Sequence, residues 1–382
     1  MAEPAAERLP MSHIRQLRER GERGLIFGES HEDLAPAAFI KENMGELARL
    51  GFRTLFVEMP HDLKPFYDAA AAGEPGARDR LRAIHVAATS SSGLHVPAMF
   101  SSMVEAAMDA GLRVRPVDMS IDTINGYDMA TLRLPLSDPQ MASRISAEHG
   151  NQPWLMLVGS AHTYAGGYGG QCLSSYSDTP QLYSPEERRR KRCAPEDFLL
   201  TEEGGLNSRL LVSAIDISSR PDVSTLEFRK GEGVRSEWQL SLPEHPLQSE
   251  SWTRREKRDE RMHGRGHLLL SATELRTEAA SQSGVIQAMS LRTADAAIRL
   301  ERMLADGASM GDLQEQQSRL AGLSDVLQSL RQKSGFPVHN EMFWPKTAER
   351  ARLAIDWPSP DVAAQSVEIP VQSRPQPAVG PN

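Results

Sequence analysis

The stretch GLIFGESHEDLAPAAFIKENMGELARLGFRTLFVEMP, Gly24 to Pro60, decides the fold. An apolar run, Leu25-Ile26-Phe27, leads straight into Gly28-Glu29-Ser30-His31, so a strand delivers a carboxylate and an imidazole at its carboxyl end. A helix is expected next: Pro36 suits a first turn, Ile40, Met44, Leu47 and Leu50 recur at helical spacing, and Gly51 stands where a left-handed cap is wanted. A second apolar run, Thr54-Leu55-Phe56-Val57, then ends on Glu58. Strand, helix and strand, with acids and a base at the strand ends, form the pattern of a βαβ unit with a site at its edge.

Working outward, Asp62 to Ile84 reads as helix broken at Gly73-Glu74-Pro75-Gly76, and Thr89 to Gly93 as a serine-rich loop. A further helix is expected from Pro97 to Gly111, carried by Val96, Phe100, Met103, Val104 and Ala107. Val114 to Val117 predicts a third strand that delivers Asp118; Pro116 has no N–H for a ladder, which places this strand at a sheet edge or makes it irregular there. A polar helix from Pro139 to His149 precedes the strongest strand, Trp154 to Val158, which is followed by Gly159-Ser160-Ala161-His162. An apolar strand thus ends twice in Gly-x-x-His. Ligands of open α/β sheets bind outside the carboxyl ends of the strands, so Glu29, His31, Glu58, Asp118 and His162 are expected along one edge. A lone strand-end acid is as often a helix N-cap, and Asp118 reads either way.

The chemistry follows from the residue types. A near-neutral histidine takes a proton from water while a carboxylate holds its ring in one tautomer, which suits hydrolysis of an ester or similar bond with His31 as base, Glu58 or Glu29 as its partner and His162 positioning water or stabilising charge. No G-x-S-x-G elbow occupies these strand ends, and Ser30 and Ser160 read as turn residues. Two carboxylates and two imidazoles equally suit a divalent metal such as Zn, Mn or Co. Past His162, the loop Gly166-Gly167-Tyr168-Gly169-Gly170 reads as a connector or a lid, with Tyr164 and Tyr168 as candidate substrate contacts; tyrosine also keeps haem open as a less favoured cofactor.

The 382 residues exceed a usual single core, and the formal net charge of −8 argues against a general nucleic-acid binder. Cys172 and Cys193 form no zinc pattern and read as free thiols. No Sec-type signal and no bilayer-spanning apolar run is visible, so the expected location is cytoplasmic or, by a non-Sec route, a host cell. The run Arg188 to Arg192 reads as solvated loop charge in preference to a targeting or phosphate patch. The chain divides into a polar leader, 1–23, an α/β domain, 24–250, a charged linker, 251–282, a helical hairpin, 283–335, and a proline-rich tail, 358–382, expected to be disordered. Within the α/β domain, further strands are expected at Leu210 to Ile215, Ser224 to Phe228 and Trp238 to Leu242. In the hairpin, Leu313, Gln316, Leu320, Leu323, Leu327 and Leu330 set a coiled-coil-like seam.

The order strand-GESH, helix, strand-VEMP, a strand ending in Asp, and strand-GSAH resembles the superfamily of erythromycin esterases, ChaN-like haem-uptake proteins and TIKI peptidases, over about Leu25 to Thr163. The resemblance implies a largely parallel sheet flanked by helices, with His31 as base, Glu58 and His162 as further site residues, and Glu29 as the acid before the first histidine. It implies a hydrolase, esterase-like or metal-dependent and peptidase-like, acting on a small molecule or peptide. Members among bacterial toxins and plant-pathogen effectors extend the expectation to a host protein partner. The alternatives are a ChaN-like carrier of haem or another small ligand without turnover, and a catalytically inactive interaction protein.

Overall fold

A computed structural model of the protein describes residues 10–19, 23–29, 34–89, 95–121, 133–149, 152–159, 223–228, 239–240, 259–336 and 343–356. The elements in chain order are α1 (Pro10–Glu19), β1 (Gly24–Glu29), α2 (Ala35–Arg49), β2 (Thr54–Pro60), a 3-10 turn (His61–Leu63), α3 (Lys64–Ala71), α4 (Ala77–Ala88), α5 (His95–Asp109), β3 (Arg113–Asp118), α6 (Arg133–Glu148) and β4 (Trp154–Gly159). There follow β5 (Val223–Phe228), β6 (Gln239–Leu240), α7 (Glu260–Ala279), α8 (Gly284–Asp306), α9 (Met310–Lys333), a 3-10 turn (Trp344–Lys346) and α10 (Thr347–Asp356).

The strands form one sheet in the order β3-β2-β4-β1-β5-β6, with every pair parallel. Parallel strands need helical crossovers, and right-handed crossovers assign each helix a face. The chain moves one way across the sheet from β1 to β2 to β3 and returns to insert β4, so the helices before and after the reversal fall on opposite faces. Leu25, Phe27, Leu55, Val57, Val114, Leu155 and Leu157 accordingly pack with Ile40, Met44 and Leu47 of α2 and Met103, Val104 and Ala107 of α5. The alternate residues Ile26, Phe56, Val117, Met156 and Val158 meet Met141 and Ile145 of α6. Burial of both faces is why the strands read as unbroken apolar runs rather than alternating ones. Proline-bearing β3 lies at the sheet edge, as its missing donor requires.

Gly51 ends α2 at φ 95°, its N–H bonded to Ala48 O (3.1 Å) while Phe52 N–H reaches Leu47 O (3.3 Å). This Schellman closure places buried Phe52 against the core and aims the chain into β2. The break around Gly73 to Gly76 separates α3 from α4, as the sequence indicates.

Three readings are corrected or refined. The leader 1–23, where the sequence suggests a short helix around His13 to Arg20, is helical over Pro10–Glu19, and its Met11 and Ile14 are buried in the main core, with the Arg18 guanidinium 5.4 Å from the Phe52 ring centroid. The linker 251–282 is, over Glu260–Ala279, a helix buried without interruption from His263 to Ala272. Its charge density reads as a solvated segment, yet the charges find partners far along the chain. Arg265 lies 2.7 Å from both Asp79 of α4 and Glu301 of α8, Glu278 pairs with Arg331 of α9 at 2.5 Å, and Glu274 accepts the Trp344 N–H at 2.9 Å. The hairpin is α8 and α9, turned by Gly307 in the left-handed conformation, with the Ser309 side chain capping α9. Its seam differs in detail: Leu313, Gln316, Leu320, Ser324, Leu327 and Arg331 are buried, whereas Leu323 and Leu330 are only partly so. The shift at its far end brings the Arg331 guanidinium to Glu278 and over the Trp344 ring, 5.6 Å from its centroid.

The hairpin therefore does not stand apart. Leu268, Ala272 and Leu275 of α7 share a core with α8, α9 and α10, while Leu269 and Leu270 belong to the core under the sheet. No helix among the described residues is long and apolar enough to cross a membrane. The strand expected at Leu210 to Ile215, the Arg188 to Arg192 run and the tail 358–382 lie outside the described residues.

Candidate active site

Because all strands are parallel, their carboxyl ends share one edge, and α2, α5 and α6, which run back across the sheet, begin there. Each presents the positive end of a helix dipole to that edge, favouring negative charge beside it. Among the described strands, β2 and β4 are neighbours whose onward paths part: β2 leads to β3 on one side, whereas the next described strand after β4 is β5, on the far side of β1. Connections that diverge from adjacent strands leave a crevice between them.

Two of the expected site residues meet at this crevice. Glu29, half-buried, ends β1 in register with Gly159 at the end of β4. Glu58 reaches across from β2: its Oε2 accepts the Gly159 N–H at 2.7 Å. That bond joins the two strands that carry VEMP and GSAH, and it fixes the peptide from which the second Gly-x-x-His departs. One oxygen of the Glu58 carboxylate is thus held against the backbone at the end of β4. His31, His162, Tyr164 and Tyr168, with Ser30 and Ser160, lie outside the described residues.

Asp118 does not open onto the crevice. It is wholly buried on the edge strand β3, and its Oδ1 accepts the Met119 N–H at 2.7 Å. Two strand spacings separate β3 from β4, roughly 10 Å. Arg144 of α6 lies against this end, donating to the carbonyls of Val117 (3.0 Å) and Asp118 (2.9 Å). Burial lowers the Arg144 pKa, and the nearby Asp118 and Asp62 pull the other way. Asp118 is thus a buried, hydrogen-bonded group at the β3 terminus, set apart from Glu58 and Gly159 by the strand order.

Asp62, which the sequence reading passed over, ties the exits of β2 and β3 together: its Oδ2 accepts from Ser120 Oγ and from the Ile121 N–H, both at 2.7 Å. His61 beside it places Nε2 3.4 Å from Asp62 Oδ1. The available signal was position alone, since His61-Asp62 directly follows the VEMP strand end.

Chemically, the described part of the edge is a pair of carboxylates beside the glycine that ends β4. Among the described residues no three metal-ligating side chains come together, so the carboxylates alone do not constitute a metal centre. Comparison of the chain with protein-family models, with curated proteins and with solved structures finds no match.

Proposed function

We propose that the crevice at the ends of β1, β2 and β4 is the active site of a hydrolase of the erythromycin esterase and TIKI type, acting on an ester or peptide bond. The observation that supports this reading best is the Glu58 to Gly159 bond, with Glu29 directly beside Gly159 in the strand register. His31 follows Glu29 by two residues and His162 follows Gly159 by three, so both imidazoles leave from neighbouring strand ends. In the proposed reaction His31 takes a proton from water, the resulting hydroxide attacks the carbonyl carbon, and the proton passes to the departing alkoxide or amine. Glu29 orients the His31 ring and stabilises its cation. Glu58 positions the β4 turn, and His162 steadies the developing oxyanion. Two carboxylates and two imidazoles also have the donor chemistry for a divalent ion, which would supply Lewis acidity at the same place.

The test combines metal analysis of the purified chain with turnover of ester and peptide substrates by wild type, His31→Ala and His162→Ala. Activity lost in both variants supports the site, and metal lost with it selects the metal-dependent form. Turnover that survives both substitutions overturns the reading.

A further inference from the structure

Away from the sheet edge, the layer formed by α3, α4 and α5 buries a row of polar side chains that the proposed chemistry leaves unused. His85 of α4 lies between the Tyr67 hydroxyl of α3, 2.9 Å from Nε2, and Ser101 Oγ of α5, 2.8 Å from Nδ1. The three residues are 0%, 1% and 5% exposed for Tyr67, His85 and Ser101. The Phe100 ring stands edge-on to the imidazole with centroids 4.8 Å apart. A neutral imidazole suits this setting in either tautomer, one nitrogen donating and the other accepting. Protonation makes both nitrogens donors, so the hydroxyl that had been donating loses its acceptor, and a charge appears where water is excluded.

Among the described residues, the acids around this layer are paired elsewhere. From α3, Asp68 pairs with Lys64 and Arg115; from α5, Glu105 pairs with Arg82 and Asp109 with Arg78. From α7, Arg265 pairs with Asp79, His263 faces Glu260, and His267 faces the Phe343 ring. Among the described residues none of these acids forms an ion pair with His85. Burial pushes the imidazole down to about 3 and pushes the Tyr67 phenol up.

The opposite side of α4 is joined far more closely to α7. A Cβ on Gly266 would lie 1.8 Å from Ala83 O, and Arg265 links Asp79 of α4 to Glu301 of α8. We propose that His85 is an acid-sensitive bolt in the seam between α4 and the α3/α5 pair: its protonation opens this seam before the sheet unfolds, and α4 moves together with the C-terminal helices.

The sign follows from linkage. The closed form binds the proton more weakly than a solvated histidine of pKa near 6.5, so the seam is fully stable above that pH and loses stability progressively as pH falls toward 3. At pH 5.0 the opening equilibrium rises about 30-fold.

Amide hydrogen exchange of the full chain at pH 7.5 and 5.0, corrected for intrinsic rates, tests this. Peptides from α3, α4 and α5 in wild type lose about 30-fold in protection while those from β1, β2 and β4 hold theirs, and His85→Gln removes the difference. An equal loss in His85→Gln, no loss in wild type, or strands that open in step with the helices would overturn the proposal. Should His85→Gln not fold at pH 7.5, the apolar pair His85→Phe with Ser101→Ala serves instead. The wild-type imidazole can also be titrated directly by NMR: a midpoint well below 5 is expected, and one near 6.5 in the folded chain refutes the mechanism.

Discussion

At Gly266, α7 of the C-terminal helices lies close against α4 of the α/β body, and Gly266→Ala puts this contact under direct strain. The added Cβ would lie 1.8 Å from Ala83 O and 2.8 Å from Ala87 Cβ, where real contacts rarely fall below 3.0 Å. A carbonyl within α4 cannot rotate away, so α7 and α4 must part by more than about 1 Å, with an overpacking cost of about 1–3 kcal/mol. Separation also stretches the Arg265 contacts, where Glu301 is only 1% exposed and its loss of a partner is expensive. Alanine returns about 1 kcal/mol through helix propensity. With about 1 kcal/mol for the stretched Arg265 contacts, the net expectation is a loss of about 1–3 kcal/mol, read for a chain of this length as a fall in Tm of roughly 1–4 °C. Gly45→Ala is the matched control: Gly45 lies inside α2 with nothing within 4 Å of the new methyl, so the same substitution raises stability by about 0.5–1 kcal/mol. Thermal and urea denaturation of both variants decide the matter. A Gly266→Ala protein that melts with or above wild type would mean that α7 does not lie against α4 as described.

If Glu58 acts by holding the Gly159 amide, Glu58→Gln keeps an acceptor and retains kcat within about tenfold, while Glu58→Ala loses about a hundredfold with little change in KM. Equal losses in the two variants would assign the carboxylate's charge, not its hydrogen bond, to the reaction. Arg265→Met strands the buried Glu301 carboxylate and costs about 3–5 kcal/mol in urea denaturation, and adding Glu301→Leu restores most of it. A double variant no better than the single one would rule out the unpaired charge as the cause.

Much of the α/β unit was legible because its signals are local. Apolar runs at β1, β2 and β4, the Gly51 cap and Pro116 each carry their meaning within a few residues, and a parallel sheet then obliges Glu29, Glu58 and Gly159 to share an edge. What the residues around them do was not local. Whether Asp118 lies beside the crevice or beside the half-buried Arg144 depends on strand order, which sets it on the edge strand. That Glu58 accepts the Gly159 amide likewise follows only once β4 is inserted beside β2.

The region 251–282 shows the same division more sharply. From sequence alone it is a charged segment between a domain and a hairpin, and its glycines weaken any helical reading. Only in three dimensions do Gly264 and Gly266 become the contact points with Ala354 and Ala83, and only there do Arg265, Glu274 and Glu278 find partners on α4, α8, the Trp344 turn and α9. Periodicity and caps determine which segments become strands and helices, because those preferences act over one or two turns of chain. Pairing of charges, close helix crossings and the commitment of a carboxylate to a distant amide are decided by tertiary structure, because each depends on residues far apart in the chain that only the completed packing brings within a few ångströms.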